Sequence, residues 1–180
     1  MTPHTLLGLA GALRKASTNR KLLHEAARLY GDAMFVEADL NLPLYDGDVE
    51  TAQGIPLAVQ TLADQIAAAD AVIISGPEYN GGVSGVLKNA LDWVSRVDGK
   101  PWADKPVAIL SAAAGRSGGA RTQYALRLCM VPFRARLLAG PEVALASSGT
   151  QFDDAGRLTN ERTIAALSTL MQALRTEVGR

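Results

Sequence analysis

The chain has 180 residues, 48% apolar and 20% charged, which fits a single folded domain over residues 1–180 and excludes a disordered or collagen-like chain. Eighteen Lys and Arg balance eighteen Asp and Glu, which argues against a nucleic-acid binder and against a strongly acidic carrier. The single cysteine, Cys129, excludes an intrachain disulfide framework and a cysteine zinc cluster, and His4 and His24 lack metal-ligand spacing.

The first apolar run, Leu6–Ala10, reads as a strand. Around it, Thr5–Leu13 is apolar enough to suggest a signal-peptide core, but no Lys or Arg precedes it, and Arg14 and Lys15 follow it. No segment approaches the roughly 18 apolar residues that read as a membrane span. A cytoplasmic protein with no membrane partner is expected. Thr18–Tyr30 carries helix-period Leu22, Leu23, Ala26, Ala27 and Leu29, and Ala33–Ala38 reads as a second strand. Asn41–Thr51 is a polar loop with Pro43, Tyr45 and Gly47. Pro56–Ala69 is a second helix. Ala71–Ser75, with Val72, Ile73 and Ile74, is a third strand.

In Ser84–Arg96, Val86, Leu87, Ala90, Leu91 and Val94 recur at helical spacing, so this is a third helix. Pro106–Ala112 is a fourth strand and Gly119–Val131 a fourth helix. Arg136–Leu138 and Glu142–Ala146 supply a fifth strand broken around Gly140-Pro141. Thr159–Val178 is a closing helix. Strands that are continuous apolar runs, alternating with helices, imply a parallel sheet covered on both faces. The expected fold class is α/β, a three-layer sandwich around a five-stranded parallel sheet of flavodoxin-like order 2-1-3-4-5.

In such a sheet, ligands bind beyond the carboxyl ends of the strands at the switch point, so the loops after strands 1, 3 and 4 are the candidates. The first loop, Gly11–Arg20, opens a helix with Ser17, Thr18 and Asn19, an anion cradle to which Arg14 adds positive charge. Simple N-capping by Ser17 or Thr18, with Arg14 solvated, is the alternative. The second, Gly76–Ser84, combines Pro77, Glu78, Tyr79, Asn80, Gly81 and Gly82. Its glycines permit close approach of a flat ligand and its tyrosine can flank a ring, although an ordinary turn also uses such glycines. The third, Ser111–Arg121, is a run of small residues whose N–H groups can face a ligand, or a flexible lead-in to a helix. Together they describe a pocket with a phosphate end and a flat end, suited to an aromatic mononucleotide.

Gly11–Asn19 resembles the G-S-x-R-x-x-S-x-N phosphate loop of the NADPH-dependent FMN reductase family. Gly76–Lys88, followed by Asn-Ala-Leu-Asp-Trp, resembles its second signature, and Gly115–Arg121 its third flavin loop. The resemblance runs from Leu6 to about Glu142 and is strongest to the bacterial chromate- and quinone-reducing flavoproteins. It implies FMN as cofactor, NADPH or NADH as co-substrate, and a small-molecule electron acceptor. By the same resemblance Gly11, Leu13, Arg14, Ser17, Thr18 and Asn19 surround the phosphate. Pro77, Glu78, Tyr79, Asn80 and Gly81 line the ring and ribityl chain, and Ser111 and Gly115 close the third side. Ala12 departs from the family pattern, which has serine there. Such proteins are homodimers or homotetramers with the flavin near a subunit interface.

The implied chemistry occurs at the flavin and needs no protein nucleophile, consistent with the lack of a readable Ser/His/Asp set. A ping-pong exchange follows, in which nicotinamide and acceptor use the same open face in turn. Arg96, Lys100 and Arg116 are candidate rim cations for phosphates or an anionic oxidant such as chromate, or else solvated charges. Trp93, Trp102 and Cys129 are expected as packing residues, and Tyr45 as a cover over a flavin or a subunit seam. Arg121, Tyr124 and Glu142 are candidate subunit bridges. A flavodoxin-type electron carrier shares this fold. An NAD-binding Rossmann dehydrogenase would use Asp39 after the second strand, but only G-x-x-G is present where G-x-G-x-x-G is required.

Overall fold

The computed structural model describes residues 3–178. Its central sheet contains β1 (His4–Ala10), β2 (Ala33–Glu37), β3 (Ala71–Gly76), β6 (Pro106–Ala112), β7 (Arg136–Leu137) and β8 (Val143–Leu145). A separate two-stranded hairpin is formed by β4 (Glu78–Tyr79) and β5 (Gly82–Val83). The sheet order is β2-β1-β3-β6, and both β7 and β8 pair with β6. Every pairing within it is parallel. The expected 2-1-3-4-5 order is therefore present, with its fifth strand in two pieces. β7 runs beside Pro106 and Val107, β8 beside Leu110–Ala112, and a cis Gly140-Pro141 bond lies between them.

Strands whose side chains alternate between two covered faces explain the apolar runs. On one face Leu6, Ile73 and Leu110 pack with α1 (Thr18–Tyr30) and α6 (Glu161–Val178). On the other, Leu7, Leu9, Val72, Ile74, Val107 and Ile109 pack with α3 (Leu57–Ala68), α4 (Gly85–Val94) and the inner side of α5 (Ala120–Met130). Trp93 and Trp102 are both buried, and Cys129 is half-buried against this second cluster, consistent with packing roles.

Local signals set the helix ends. α1 stops at Gly31, where φ is +89°, and the Arg175 guanidinium donates to the carbonyls of Tyr30 and Asp32 just past it. α6 starts two residues later than the periodicity suggests, because the Asn160 side chain accepts from the Thr163 N–H and acts as its cap. α4 ends at Val94, two residues short of the expected Arg96.

Two elements depart from the sequence reading. Gly47–Gln53, which begins inside the expected Asn41–Thr51 loop and runs two residues past it, forms helix α2. None of its residues is buried, so it offers no apolar periodicity to read. It is held instead by Asp46 capping the Asp48 N–H and by Glu50, which accepts from Tyr45 Oη and Arg96 Nε. The second candidate loop contains the β4–β5 hairpin, with Asn80 (φ +52°) and Gly81 (φ +76°) at its turn. Two successive positive φ values are what a tight two-residue hairpin demands, and Asn-Gly supplies them most cheaply.

Among the described residues, no helix is long and apolar enough to cross a membrane, and no group of His, Cys, Asp and Glu is placed to hold a metal ion.

Candidate functional site

A cleft of about 540 Å3 opens at the carboxyl ends of β1, β3 and β6, where the sheet order reverses. Its walls come from all three candidate loops. Arg14, Ser17, Thr18 and Asn19 line one end, Pro77, Glu78 and Tyr79 another, and Ala112–Gly115 with Ser117 the third.

The α1 end is built to accept an anion. The first helical hydrogen bond runs from the Lys21 N–H to the Ser17 carbonyl, so the N–H groups of Thr18, Asn19 and Arg20 are the open donors of the helix. Ser17 occupies the cap position, yet its buried side chain makes no capping bond, and no acidic residue lies in the first turn. Positive helix-end charge and the Arg14 guanidinium therefore face the cleft without a built-in counter-anion.

Asn19 lies under this end as scaffold. Its Nδ2 donates to the Ala112 carbonyl at 2.8 Å, and its Oδ1 accepts from the Ala112 N–H at 2.9 Å and from Ser75 Oγ at 3.1 Å. One side chain thus fastens α1 to the ends of β3 and β6. Gly11 is buried, its N–H bonded to the Ser75 carbonyl. A Cβ there would meet Leu87 at 2.5 Å and Pro77 at 3.1 Å. Its glycine is required by this close packing, and Gly11 does not line the cleft.

The ring end is held by Glu78. Its carboxylate accepts from the Arg121 N–H at 3.0 Å and from Arg121 Nη1 at 3.3 Å, tying the hairpin to the first turn of α5. Tyr79 stays 57% exposed at the cleft edge. Asn80 and Gly81 form the exposed hairpin turn, outside the residues that line the cleft, and the turn itself demands their positive φ values. In the third loop Gly115 lines the cleft, but Ser111 is fully buried. Its Oγ donates to the Gly118 carbonyl and accepts from Gln123 Nε2. Gly118 (φ +60°) has no room for a side chain, since a Cβ would lie 2.3 Å from the Ala144 carbonyl oxygen.

Leu13 lines an adjoining 360 Å3 pocket with Arg20, Glu37 and Asp39, outside the main cleft. The rim cations divide. Arg116 is exposed between Gly115 and Ser117, which line the cleft. Arg96 is instead bound to Glu50, and Lys100 borders a separate 590 Å3 cavity with Trp102 and Cys129. Neither of these two lines the cleft, so the three cations do not share one rim. Tyr45 does not line the cleft either. It packs edge-on against Trp93, and Trp93 Nε1 and Asn89 Nδ2 donate to the Pro43 carbonyl. The hydrogen bond that Tyr45 donates to Glu50, then burial, push its phenol up from its ordinary pKa.

Ser148 and Gly149 also line the cleft, and sequence reading missed them. The available signal was the small polar run Ser-Ser-Gly-Thr directly after the last strand, at the same carboxyl edge.

The match to the family model described as NADPH-dependent FMN reductase covers residues 4–150 and so includes every wall of this cleft. The chain belongs to that family. NADPH-dependent FMN reductases are flavin-dependent oxidoreductases that use FMN and NAD(P)H, and the uncapped α1 end suits the FMN phosphate. The chain is 44% identical over 177 residues to an NAD(P)H-dependent FMN reductase of Pseudomonas aeruginosa, covering 97% of this chain and 95% of the relative. It is 44% identical over 137 residues to the quinone reductase of Escherichia coli, covering 74% and 73% respectively. Among solved structures, the flavoenzyme NAD(P)H:(acceptor) oxidoreductase FerB from Paracoccus denitrificans aligns with a TM-score of 0.87 at 30% identity, covering 98% of this chain and 97% of that one.

Proposed function

We propose that this reductase transfers two electrons from NADPH or NADH to small acceptors, quinones first and chromate among the rest. FMN bound in the cleft supplies the hydride exchange between them. The observation that carries the reading is the uncapped, acid-free N-terminus of α1 opening into a 540 Å3 cleft at the sheet's switch point.

In this reading Arg14 and Ser17 hold the phosphate together with the open N–H groups of Thr18 and Asn19. Pro77, Glu78, Tyr79 and Gly115 surround the ring, and Glu78 keeps the hairpin wall in place through Arg121. Asn19, Gly11 and Ser111 shape the pocket from beneath. Co-substrate and acceptor use the open side by Tyr79 in turn, which makes the kinetics ping-pong. The chain works as one flavin-binding domain and associates as a homodimer or homotetramer through α5. There Tyr124, Leu128 and Val131 form an exposed apolar edge. Arg121 and Tyr124 already meet Glu78 and Glu142 within the chain, so apolar contact, not those polar groups, drives the association.

The test is the visible spectrum of the purified protein with FMN, followed by NAD(P)H oxidation with a quinone and with chromate. The expected result is a yellow protein that oxidises NAD(P)H directly and gives parallel double-reciprocal lines. Intersecting lines would overturn the ping-pong order. A yellow protein unable to oxidise NAD(P)H would be an electron carrier, and one that binds no FMN would overturn the reading.

A further inference from the structure

The segment after β8 belongs to none of the three flavin loops, yet it reaches the phosphate end of the cleft. Ser147 takes a left-handed backbone (φ +48°, ψ 39°), and this turns Ser148 inward. Ser148 is 4% exposed. Its N–H donates to the Ala113 carbonyl at 3.1 Å, and its Oγ lies 3.0 Å from Thr18 Oγ1. Both residues line the cleft. Two hydroxyls carry two protons and their mutual bond consumes one. The other is left to donate to a ligand oxygen beside the first turn of α1.

The segment is also anchored from behind. Phe152 and Leu158 bridge across a small turn in which the Arg157 N–H donates to Asp153 Oδ1. Arg157 Nη1 then donates at 2.9 Å to Glu25, a carboxylate on α1 that is only 3% exposed. Glu25 also accepts from Arg28 and from the Leu158 N–H. Lys21, on the same helix, lies 5.6 Å from the Phe152 ring centroid. The helix that offers its N-terminus to the cleft thus also clamps the segment that closes it.

We infer that residues 147–159 are a fourth recognition element of the flavin cleft, in which the Thr18–Ser148 hydroxyl pair donates to the FMN phosphate and Glu25 is the positioning residue that holds the segment there. This rests on the flavin reading of the cleft. The phosphate is the group of FMN that riboflavin lacks, so the pair discriminates the phosphorylated flavin from the free one.

The experiment measures FMN and riboflavin dissociation constants, by quenching of flavin fluorescence, on the full chain stripped of flavin. Losing one hydrogen bond to a charged group weakens binding by about tenfold. Ser148→Ala is therefore expected to weaken FMN about tenfold and leave riboflavin within about twofold, with Ser148→Thr restoring FMN affinity. Ser148→Asp, which sets a carboxylate against the phosphate, should lose FMN while still binding riboflavin. Glu25→Gln should show a smaller loss confined to FMN. Equal weakening of both flavins would make the segment merely structural and overturn the inference, as would unchanged FMN binding in Ser148→Ala and Ser148→Asp. A wild-type protein that binds neither flavin would overturn the flavin reading itself, and this inference with it.

Discussion

Asn19 lies buried beneath the phosphate end of the cleft, and its side chain is spent on Ala112 and Ser75. Replacing it by Ala leaves the buried Ala112 N–H and C=O and the buried Ser75 hydroxyl without that partner. Unmade buried hydrogen bonds cost about 1–3 kcal/mol each. Asn19→Ala orphans three such groups and is therefore expected to lose about 3 kcal/mol or more in urea unfolding, beyond any effect on flavin affinity. Glu25 gives a pH-dependent counterpart. Burial pushes its carboxyl up, but hydrogen bonds from Arg28 and Arg157, the Arg28 charge and the Leu158 N–H outweigh this and hold it below the ordinary value of 4.5. A depressed carboxylate stabilises the fold above its unfolded pKa, and that stability is lost as pH falls through the folded value. At pH 7 Glu25→Gln should be less stable than wild type by about 1–3 kcal/mol, the worth of charged hydrogen bonds. The gap should narrow only as pH falls through about 4.5, where the unfolded chain's carboxyl takes up its proton while the folded one still holds its charge, and close once the folded carboxyl is protonated as well. Urea midpoints of both proteins from pH 7 to pH 3 check this, and a gap that stays constant to pH 3 would contradict it.

The elements that sequence could reveal are those whose burial writes a pattern. β3 and β6 are buried at every position, so their apolar runs stand out, and the α1 periodicity matches its buried Leu22, Leu23 and Ala26. Helix α2 buries nothing and is fixed by Glu50, a contact 46 residues away in sequence from Arg96, which no local window contains. The hairpin was legible in part, since Asn80-Gly81 is a turn signal, but the same glycines also suit a flat ligand. Only the backbone separates the two readings. The site divides similarly. Loop positions and Arg14, Ser17 and Tyr79 followed from the strand ends, whereas the inward burial of Ser111 and the arrival of Ser148 depend on how β8 docks on β6. Turn geometry makes its own prediction. Gly81 has φ +76°, and a β-branched side chain in the left-handed region costs about 1–2 kcal/mol or more. Gly81→Val should lower the free energy of urea unfolding by about that amount, whereas Gly85→Ala, at a helical position with open space around it, should not lower it.

At the scale of the molecule, the balance of eighteen cations and eighteen anions leaves no net charge to oppose self-association. The exposed large apolar side chains are not spread evenly. Tyr124, Leu128 and Val131 are 64%, 74% and 69% exposed and recur at spacings of four and three along one edge of α5 and its continuation. That spacing aligns them as a stripe. The opposite side of α5 buries Leu126 and Met130 in the core. Glu78 and the hairpin wall are tied to the N-terminal turn of the same helix, so a contact along α5 would bear on the cleft as well as on mass. Leu128→Asp places a charge in the middle of the stripe without touching the core. Sedimentation equilibrium should then show the wild type as a dimer or tetramer and Leu128→Asp as a smaller species with unchanged circular dichroism. If the variant keeps the wild-type mass, the association runs through another face. If it dissociates and also releases FMN, the hairpin wall depends on the assembled α5 for its position.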